Sequence, residues 1–194
     1  MNRKIDRKEV ILSIAQKKFA RYGLHKTTID EIAKDARISK GLIYHYYSSK
    51  EDIFYAVINK EVKYLESLIR KAISRETTPQ KKLETFIKTR LNRMLEVVNL
   101  NELNNEIVNI LIPEIEKGLI NYRKKEIKIV SSIINEGIRN GDFKKVNPDK
   151  TAFIFLSLFR GLEIPFIVDK ILFDIGELVD FSLKIFFDGI KLRK

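Results

Sequence analysis

The stretch TIDEIAKDARISKGLIYHYY, residues 28 to 47, predicts two short helices separated by a tight turn. Thr28 stands three residues before Glu31, which is the spacing of a capping box at the N-terminus of a helix. Ser39 is placed to cap a second helix over residues 40 to 46, because its hydroxyl can accept from free backbone N–H groups there. Two short helices joined in this way are typical of a helix-turn-helix unit.

Helical periodicity continues on both sides of this unit. The segment from residue 7 to 22 repeats apolar residues about one turn apart, and Gly23 follows it as a helix-ending glycine. Ser49 is placed to cap a long fourth helix, which we expect to belong to both parts of the chain. Strand signals are scarce. The expected fold is therefore all-α with about nine helices, the others lying near 79–98, 101–112, 114–140, 148–170 and 174–191.

The positive charge of the chain is concentrated at its N-terminus. Residues 1 to 50 carry 12 Lys and Arg against 5 Asp and Glu, a net charge of +7, whereas the whole chain of 194 residues carries +11. A basic segment attached to a nearly balanced remainder is expected of a protein that binds a polyanion with one end. The alternative is a well-solvated basic face.

The composition excludes several classes of site. The chain has no cysteine and two histidines, which excludes disulfides, thiolate ligands, cysteine nucleophiles and histidine-rich metal sites. It also has no glycine-rich phosphate loop and no zinc motif, so we expect neither an enzyme nor a bound cofactor. The N-terminus has no apolar signal-peptide core, and polar residues and a proline interrupt the apolar run at 152–168. We therefore expect a cytoplasmic protein without a membrane partner.

The second helix of the unit has the residues expected of a helix that lies in a DNA major groove. Lys40 can donate to guanine acceptors, and Gly41 lets the backbone approach the bases closely. The rings and polar groups of Tyr44, His45 and Tyr46 suit contacts with sugars, phosphates and thymine methyl groups. Packing inside the N-terminal unit is the alternative role for these rings.

Phosphate contacts are expected where helix N-termini present free N–H groups. Lys50, in the first turn of the fourth helix, and the cap residue Thr28 are placed for such contacts. Five of the seven tyrosines fall within residues 22 to 55, where rings with a polar handle suit a wet interface, although Tyr47 is expected to pack inside. The candidate DNA-contacting residues are Thr28, Arg37, Ser39, Lys40, Gly41, Tyr44, His45, Tyr46 and Lys50.

The N-terminal segment resembles the signature of the TetR/AcrR family of transcriptional regulators over residues 8 to 54. Two residues depart from the family pattern: Arg37 stands where a glycine is usual in the turn, and Tyr47 stands where a phenylalanine is usual. The residues that carry the resemblance are Ile11, Ala15, Phe19, Gly23, Thr27, Thr28, Ile32, Ala33, Ala36, Ile38, Ser39, Gly41, Tyr44, Lys50 and Glu51.

The resemblance implies a three-helix DNA-binding domain over residues 1 to 50 and a helical domain over residues 51 to 194 that binds an effector and dimerises. It implies a homodimer on a roughly palindromic DNA operator. The expected function is a repressor that is released by a small hydrophobic effector, namely a fatty acid, an acyl-CoA or a drug-like molecule. The alternative is an architectural DNA-binding dimer with a filled core and no effector.

The last two predicted helices are apolar around most of their circumference. Such helices must be enclosed on most sides, and the resemblance places a dimer four-helix bundle on them. Gly161 would allow close approach of a partner helix. A large monomeric core is the alternative. The candidate dimerisation residues are Phe155, Leu158, Leu162, Phe166, Phe181 and Ile185.

A pocket in the C-terminal part would have mostly apolar walls, which favours a hydrophobic ligand. Arg90 interrupts an apolar stripe, so it can meet a ligand carboxylate or phosphate, or it can pair with an acidic side chain. Arg160 and Glu163 are three residues apart on one helix and can pair with each other. The candidate ligand-binding residues are Leu65, Arg90, Met94, Asn109, Tyr122, Phe159 and Glu163.

Overall fold

The computed structural model describes the backbone of residues 6–100, 105–169 and 174–192. Within these ranges it describes all side chains except those of residues 94–95, 97–100, 105–118 and 163–169. Met94, Asn109, Glu163 and Phe166, which the sequence proposed as ligand-binding or dimerisation residues, therefore lie outside the described side chains.

The described residues form eight helices, which confirms the prediction of an all-α fold. No helix among them is both long and apolar enough to cross a membrane. The helices are α1 (Arg7–Lys26), α2 (Ile29–Ala36), α3 (Lys40–Tyr46), α4 (Lys50–Ile73), α5 (Pro79–Leu100), α6 (Asn105–Arg139), α7 (Pro148–Asp169) and α8 (Ile175–Ile190).

The predicted helix between residues 114 and 140 and the one before it are a single helix, α6 (Asn105–Arg139). The gap between the two predicted helices falls at Pro113, and proline lacks the N–H that an interior helical position donates. The backbone nevertheless stays helical through Pro113. Losing one hydrogen bond makes an interior proline costly without always ending the helix, and this is why eight helices are found where nine were expected.

Helices α1 to α3 and the start of α4 share one core, and their compact unit also contains the end of α5 and the start of α6. Gly23 has a φ of +77° near the end of α1, and Arg37 adopts a left-handed conformation (φ 54°, ψ 45°) as the C-cap of α2. The apolar residues of α4 close to its start are part of this core: the Phe54 ring meets Phe19 edge to face, with ring centroids 5.4 Å apart. The core thus continues past the domain boundary expected at residue 50, and the contact boundary along α4 lies between Tyr64 and Leu65.

A second compact unit is built from the end of α4, α5 as far as Glu96, the part of α6 from Ile120 onward, α7 and α8. Its core is rich in phenylalanine and includes Phe143, Phe155 and Phe187, of which Phe143 and Phe155 are almost completely buried. Phe143 follows the turn after α6 and packs on Gly137 inside that helix. The backbone N–H of Phe143 also donates to the Gly137 carbonyl at 3.1 Å. Both the ring and the backbone of Phe143 therefore hold this turn against α6.

We expect the substitution Gly137→Ala to destabilise the protein by about 1–3 kcal/mol, the usual cost of overpacking a core. A Cβ atom at this position would lie 2.2 Å from a ring carbon of Phe143, which has no exposed side to move into. The measurement is the free energy of unfolding in urea. Ser132→Ala, at an exposed position of the same helix, is the control and should change that energy by less than about 0.5 kcal/mol. Equal stability of both variants would contradict the packing of Phe143 described above.

Candidate nucleic-acid interface and a buried charged cluster

Helix α3 is held in the N-terminal unit by one fully buried residue, Ile43, and presents most of its other side chains to solvent. Lys40, Gly41, Tyr44 and His45 are exposed, as is Tyr46 at its end. The structure therefore leaves five of the candidate DNA-contacting residues of α3 exposed, with Lys40, Gly41 and Tyr44 within about 100° of one another around the helix axis. The ring of His45 meets that of Tyr46 edge to face, with centroids 5.2 Å apart.

Lys40, at the first position of α3, is paired with Asp30 of α2. Its Nζ lies 2.8 Å from Asp30 Oδ2, and both side chains are substantially exposed. The hydrogen bond to Asp30 raises the pKa of the Lys40 ammonium. This ion pair connects α2 to the N-terminus of α3, and the sequence analysis did not identify Asp30.

The hydroxyl groups of Thr28 and Ser39 cap α2 and α3 as predicted. Thr28 Oγ1 accepts from the Glu31 N–H at 3.3 Å, and Ser39 Oγ accepts from the Leu42 N–H at 3.2 Å. The Thr28 N–H donates in return to Glu31 at 2.9 Å, which completes the capping box and lowers the pKa of the Glu31 carboxyl. In each cap the hydroxyl oxygen is an acceptor, so its own proton is available to a further acceptor such as a phosphate oxygen.

Arg37 and Lys50 are the basic candidate residues that lie outside α3. Arg37 is exposed in the turn between the two helices. Lys50 Nζ donates to the backbone carbonyl of His25, near the end of α1, at 3.3 Å. Lys50 is therefore oriented toward the C-terminal carbonyl groups of α1, where a cation is favoured.

Tyr47 differs from its neighbouring tyrosines because its ring is buried in the core of the N-terminal unit. The prediction that it packs inside is confirmed, whereas the Tyr44 ring is 49% exposed. Burial raises the pKa of the Tyr47 phenol to about 12, and the nearby carboxylate of Glu9 contributes to the shift. Lys8 lies over the Tyr47 ring, with its Nζ 5.4 Å from the ring centroid.

Helices α7 and α8 each leave an apolar stripe exposed. On α7 the stripe contains Phe153, Ile154 and Leu158, and on α8 it contains Phe181 and Ile185. Phe181 and Ile154 are each 62% exposed, which is unusual for large apolar side chains. The sequence analysis included Leu158, Phe181 and Ile185 among the dimerisation residues and did not include Phe153 and Ile154, although their helical spacing places them beside Leu158.

Phe155 departs from the prediction that it lies on this stripe. Its ring is fully buried and contacts Phe159 and Phe186, with ring centroids 5.0 and 4.7 Å apart. The reason is helical geometry, since residues 153 and 155 are about 200° apart around the axis and cannot face the same way. Leu162 is half-buried and packs against the core of the second unit.

The second unit contains a buried charged cluster centred on Glu126, whose side chain is 1% exposed. Arg160 of α7 donates to Glu126 Oε2 at 2.5 Å, and Arg90 Nε of α5 lies 3.4 Å from Glu126 Oε1. Of the two roles open to Arg90, pairing with an acidic side chain is thus observed. Arg160 contacts Glu126, a residue that was not predicted from the sequence, and the predicted pairing of Arg160 with Glu163 lies outside the described side chains.

Two neighbours of Glu126 on α6 belong to the same cluster. The Tyr122 hydroxyl is buried without a hydrogen-bond partner among the described residues, and burial followed by the Glu126 charge raises its pKa far above the usual range. Burial lowers the pKa of the Arg123 guanidinium, and the positive charge of Arg160 lowers it further. The interruption of the apolar α6 stripe at Glu126, four residues from Tyr122 and Val130, was the sequence signal for this cluster.

The other described ligand-binding candidates are apolar packing residues. Phe159 is buried in the core of the second unit, and Leu65 packs against that core. A groove of about 320 Å³ in the same unit is lined by other residues, Thr78, Pro79, Gln80, Gly141, Asp142, Phe143, Lys191 and Leu192. Of the predicted ligand-binding residues with described side chains, the structure brings Arg90 and Tyr122 together at Glu126.

Comparison with known proteins identifies relatives along most of the chain. The uncharacterized HTH-type transcriptional regulator YhgD of Bacillus subtilis (strain 168) is 30% identical over 166 residues, which are 81% of this chain and 83% of that protein. The fatty acid metabolism regulator protein of the same organism is 28% identical over 142 residues, 70% of each chain.

A solved structure and a family profile agree with these two relatives. The crystal structure of a transcriptional regulator from Cytophaga hutchinsonii ATCC 33406 superposes with a TM-score of 0.73 at 30% identity, covering 95% of this chain and 98% of that one. The profile described as "Bacterial regulatory proteins, tetR family" matches residues 11–57, which contain the capped α2 and the exposed α3. The chain therefore belongs to the TetR family of DNA-binding transcriptional regulators.

Proposed function

We propose that this regulator is a repressor that binds a palindromic operator as a homodimer and releases it when a small hydrophobic effector binds. The observation that carries the DNA-binding part is the exposure of α3, where Lys40, Gly41 and Tyr44 lie on one face and Tyr46 is exposed on another. Helix α3 would lie in the major groove, where its first residues meet base edges.

Gly41 supports close approach of α3 to DNA. A Cβ atom at this position would meet a single atom of the protein within 4 Å, the Ser39 Oγ at 4.0 Å. Packing within the protein therefore gives no reason for a glycine, which costs roughly 0.5–1 kcal/mol relative to alanine inside a helix. A partner whose atoms come close to the α3 backbone provides that reason.

The remaining candidates surround α3 with groups suited to phosphate. The capping hydroxyls of Thr28 and Ser39 keep a proton to donate, and Lys50 lies in the first turn of α4. With the net charge of +7 on residues 1 to 50, this arrangement supports binding along a DNA backbone.

The exposed stripes of α7 and α8 support the homodimer. Phe153, Ile154 and Leu158 on α7, with Phe181 and Ile185 on α8, present large apolar side chains that water would otherwise cover. A two-fold axis lets the same stripes on two chains cover each other in a four-helix bundle. Two recognition helices are then available for the two halves of a palindromic operator.

The effector part of the proposal rests on the apolar second unit and on a relative. The core of that unit consists mainly of leucine, isoleucine, valine and phenylalanine, which suits a hydrophobic ligand. The relative named as a fatty acid metabolism regulator matches 70% of this chain. An effector-independent dimer is the second candidate, favoured by the dense packing of the same core, and a screen for hydrophobic compounds that release DNA distinguishes the two.

We expect Gly41→Ala to stabilise the free protein by about 0.5–1 kcal/mol while weakening operator binding roughly tenfold or more. The added methyl group has room in the free chain and would lie between α3 and the DNA. The measurements are urea unfolding and a gel-shift titration with an operator selected from a random library. Because the stability rises, a loss of binding cannot come from unfolding. Unchanged affinity would remove α3 from close contact with DNA.

We expect Lys50→Ala to weaken binding to all DNA sequences and to reduce the slope of log affinity against log salt concentration by about one. The physical reason is that one phosphate contact, and the counterion it releases, is lost. The measurement is fluorescence anisotropy with duplex DNA over a range of salt concentrations. Lys63→Ala, exposed on α4 about 20 Å along the helix, is the matched control. An unchanged slope for Lys50→Ala would exclude Lys50 from the phosphate contacts.

We expect the double substitution Phe181→Asp and Ile185→Asp to convert the dimer into a monomer, because four carboxylates would otherwise be buried across the two-fold axis. Sedimentation velocity measures the change in mass. Asn140→Asp, exposed at the end of α6, is the control and should remain dimeric. A double variant that stays dimeric would place the dimer contact elsewhere.

A further inference from the structure

We propose that the cluster around Glu126 binds the anionic head group, a carboxylate or a phosphate, of an amphiphilic effector. This inference rests on the effector response proposed above and specifies its chemistry. The groups that would hold the anion are the Tyr122 hydroxyl and the guanidinium groups of Arg90, Arg123 and Arg160. They come from α5, α6 and α7, so a ligand held by them would touch three helices of the second unit.

Positive charge is concentrated around the buried carboxylate of Glu126, where solvation is poor. Arg90 and Arg160 both contact the buried carboxylate of Glu126, and Arg123 is close enough to Arg160 for that charge to lower its pKa. Guanidinium groups near one another disfavour each other's charge, and burial strengthens the effect. An anion that enters such a place is attracted by all three groups at once, and arginine matches carboxylate and phosphate geometry in particular.

The Tyr122 hydroxyl adds a hydrogen-bond donor to this cluster. It is buried and lacks a hydrogen-bond partner among the described residues, although such groups are nearly always paired in folded proteins. Burial raises the pKa of the phenol, so it keeps its proton and is a donor at neutral pH. A protonated phenol beside three guanidinium groups suits a ligand with an anionic oxygen.

Apolar residues stand next to the charged residues of the cluster along each of its helices. Leu91 follows Arg90, Ile127 follows Glu126 and Phe159 precedes Arg160, and all three apolar residues belong to the core of the second unit or pack against it. A buried ion pair is no better for stability than well-packed apolar side chains of similar volume. A charged cluster among such residues therefore suits a ligand with an apolar chain and one charged end, and a wholly apolar molecule would leave it unused.

The test compares three probes that share one alkyl chain: dodecanoate, dodecyl phosphate and dodecanol. Binding to the intact protein is measured by isothermal titration calorimetry below the critical micelle concentrations of the two anions and below the solubility limit of dodecanol. We expect both anions to bind at least tenfold more tightly than the alcohol. The ratio between dodecanoate and dodecyl phosphate then decides which anionic group the cluster prefers.

Two substitutions test the named groups. Tyr122→Phe removes only the hydroxyl, and we expect it to weaken binding of both anions roughly tenfold or more while leaving dodecanol unaffected. Arg123→Gln should have the same selectivity. Lys128→Gln removes one charge from an exposed position on the same helix and is the matched control, with wild-type affinities for all three probes. Circular dichroism shows that each variant is folded before it is titrated.

The outcomes separate this inference from the proposed function. If all three probes bind equally and neither Tyr122→Phe nor Arg123→Gln is selective, the anionic site is refuted while a hydrophobic effector site stands. If no probe binds, both this inference and the amphiphilic effector are refuted. Operator binding by the untreated protein is measured separately by gel shift, so loss of the effector proposal would not be confused with loss of DNA binding.

Discussion

The N-terminal unit depends on the attachment of a helix that is too short to be stable alone. Helix α3 has seven residues, and isolated helices of that length do not persist in water. Its fixed points are the fully buried Ile43, the buried Tyr47 that follows it and the Ser39 cap before it. Because so few residues are needed for attachment, the others are left exposed. A few residues of α3 thus give it stability, and the remaining ones form its exposed surface.

Charges in the two units are handled differently. In the N-terminal unit the Lys40–Asp30 pair and the Lys50 contact with His25 are at the surface, where pairing contributes little to stability and can be exchanged for a phosphate. In the second unit Glu126 is buried, so its pairing with Arg160 is needed to keep a charge in the core at all. Exposed pairs suit a partner that is bound and released, and buried ones suit a ligand that is enclosed.

Much of the N-terminal unit could be predicted because local signals determine it. The caps at Thr28 and Ser39 and the glycine at residue 23 fixed three helix boundaries to within a few residues. The second unit was less predictable because its features depend on which helices meet. Periodicity showed that α7 and α8 are apolar all round, but it could not show that Phe155 faces inward and Phe153 outward. Likewise, Arg90 and Arg160 stood out along the chain, whereas their common partner Glu126 lies on another helix and becomes evident only in three dimensions.

Arg37 has a consequence for anyone who would engineer this protein. It is the single non-glycine residue with positive φ among those the structure describes, and a left-handed conformation costs an L-residue roughly 1–2 kcal/mol. Glycine at this turn would be the simplest way to stabilise the N-terminal unit. That same change would remove a cation from the surface that carries α3. With the expected contact between Arg37 and DNA, thermostability and affinity are coupled with opposite signs at one residue, and selection for a more heat-resistant variant would tend to yield a weaker regulator.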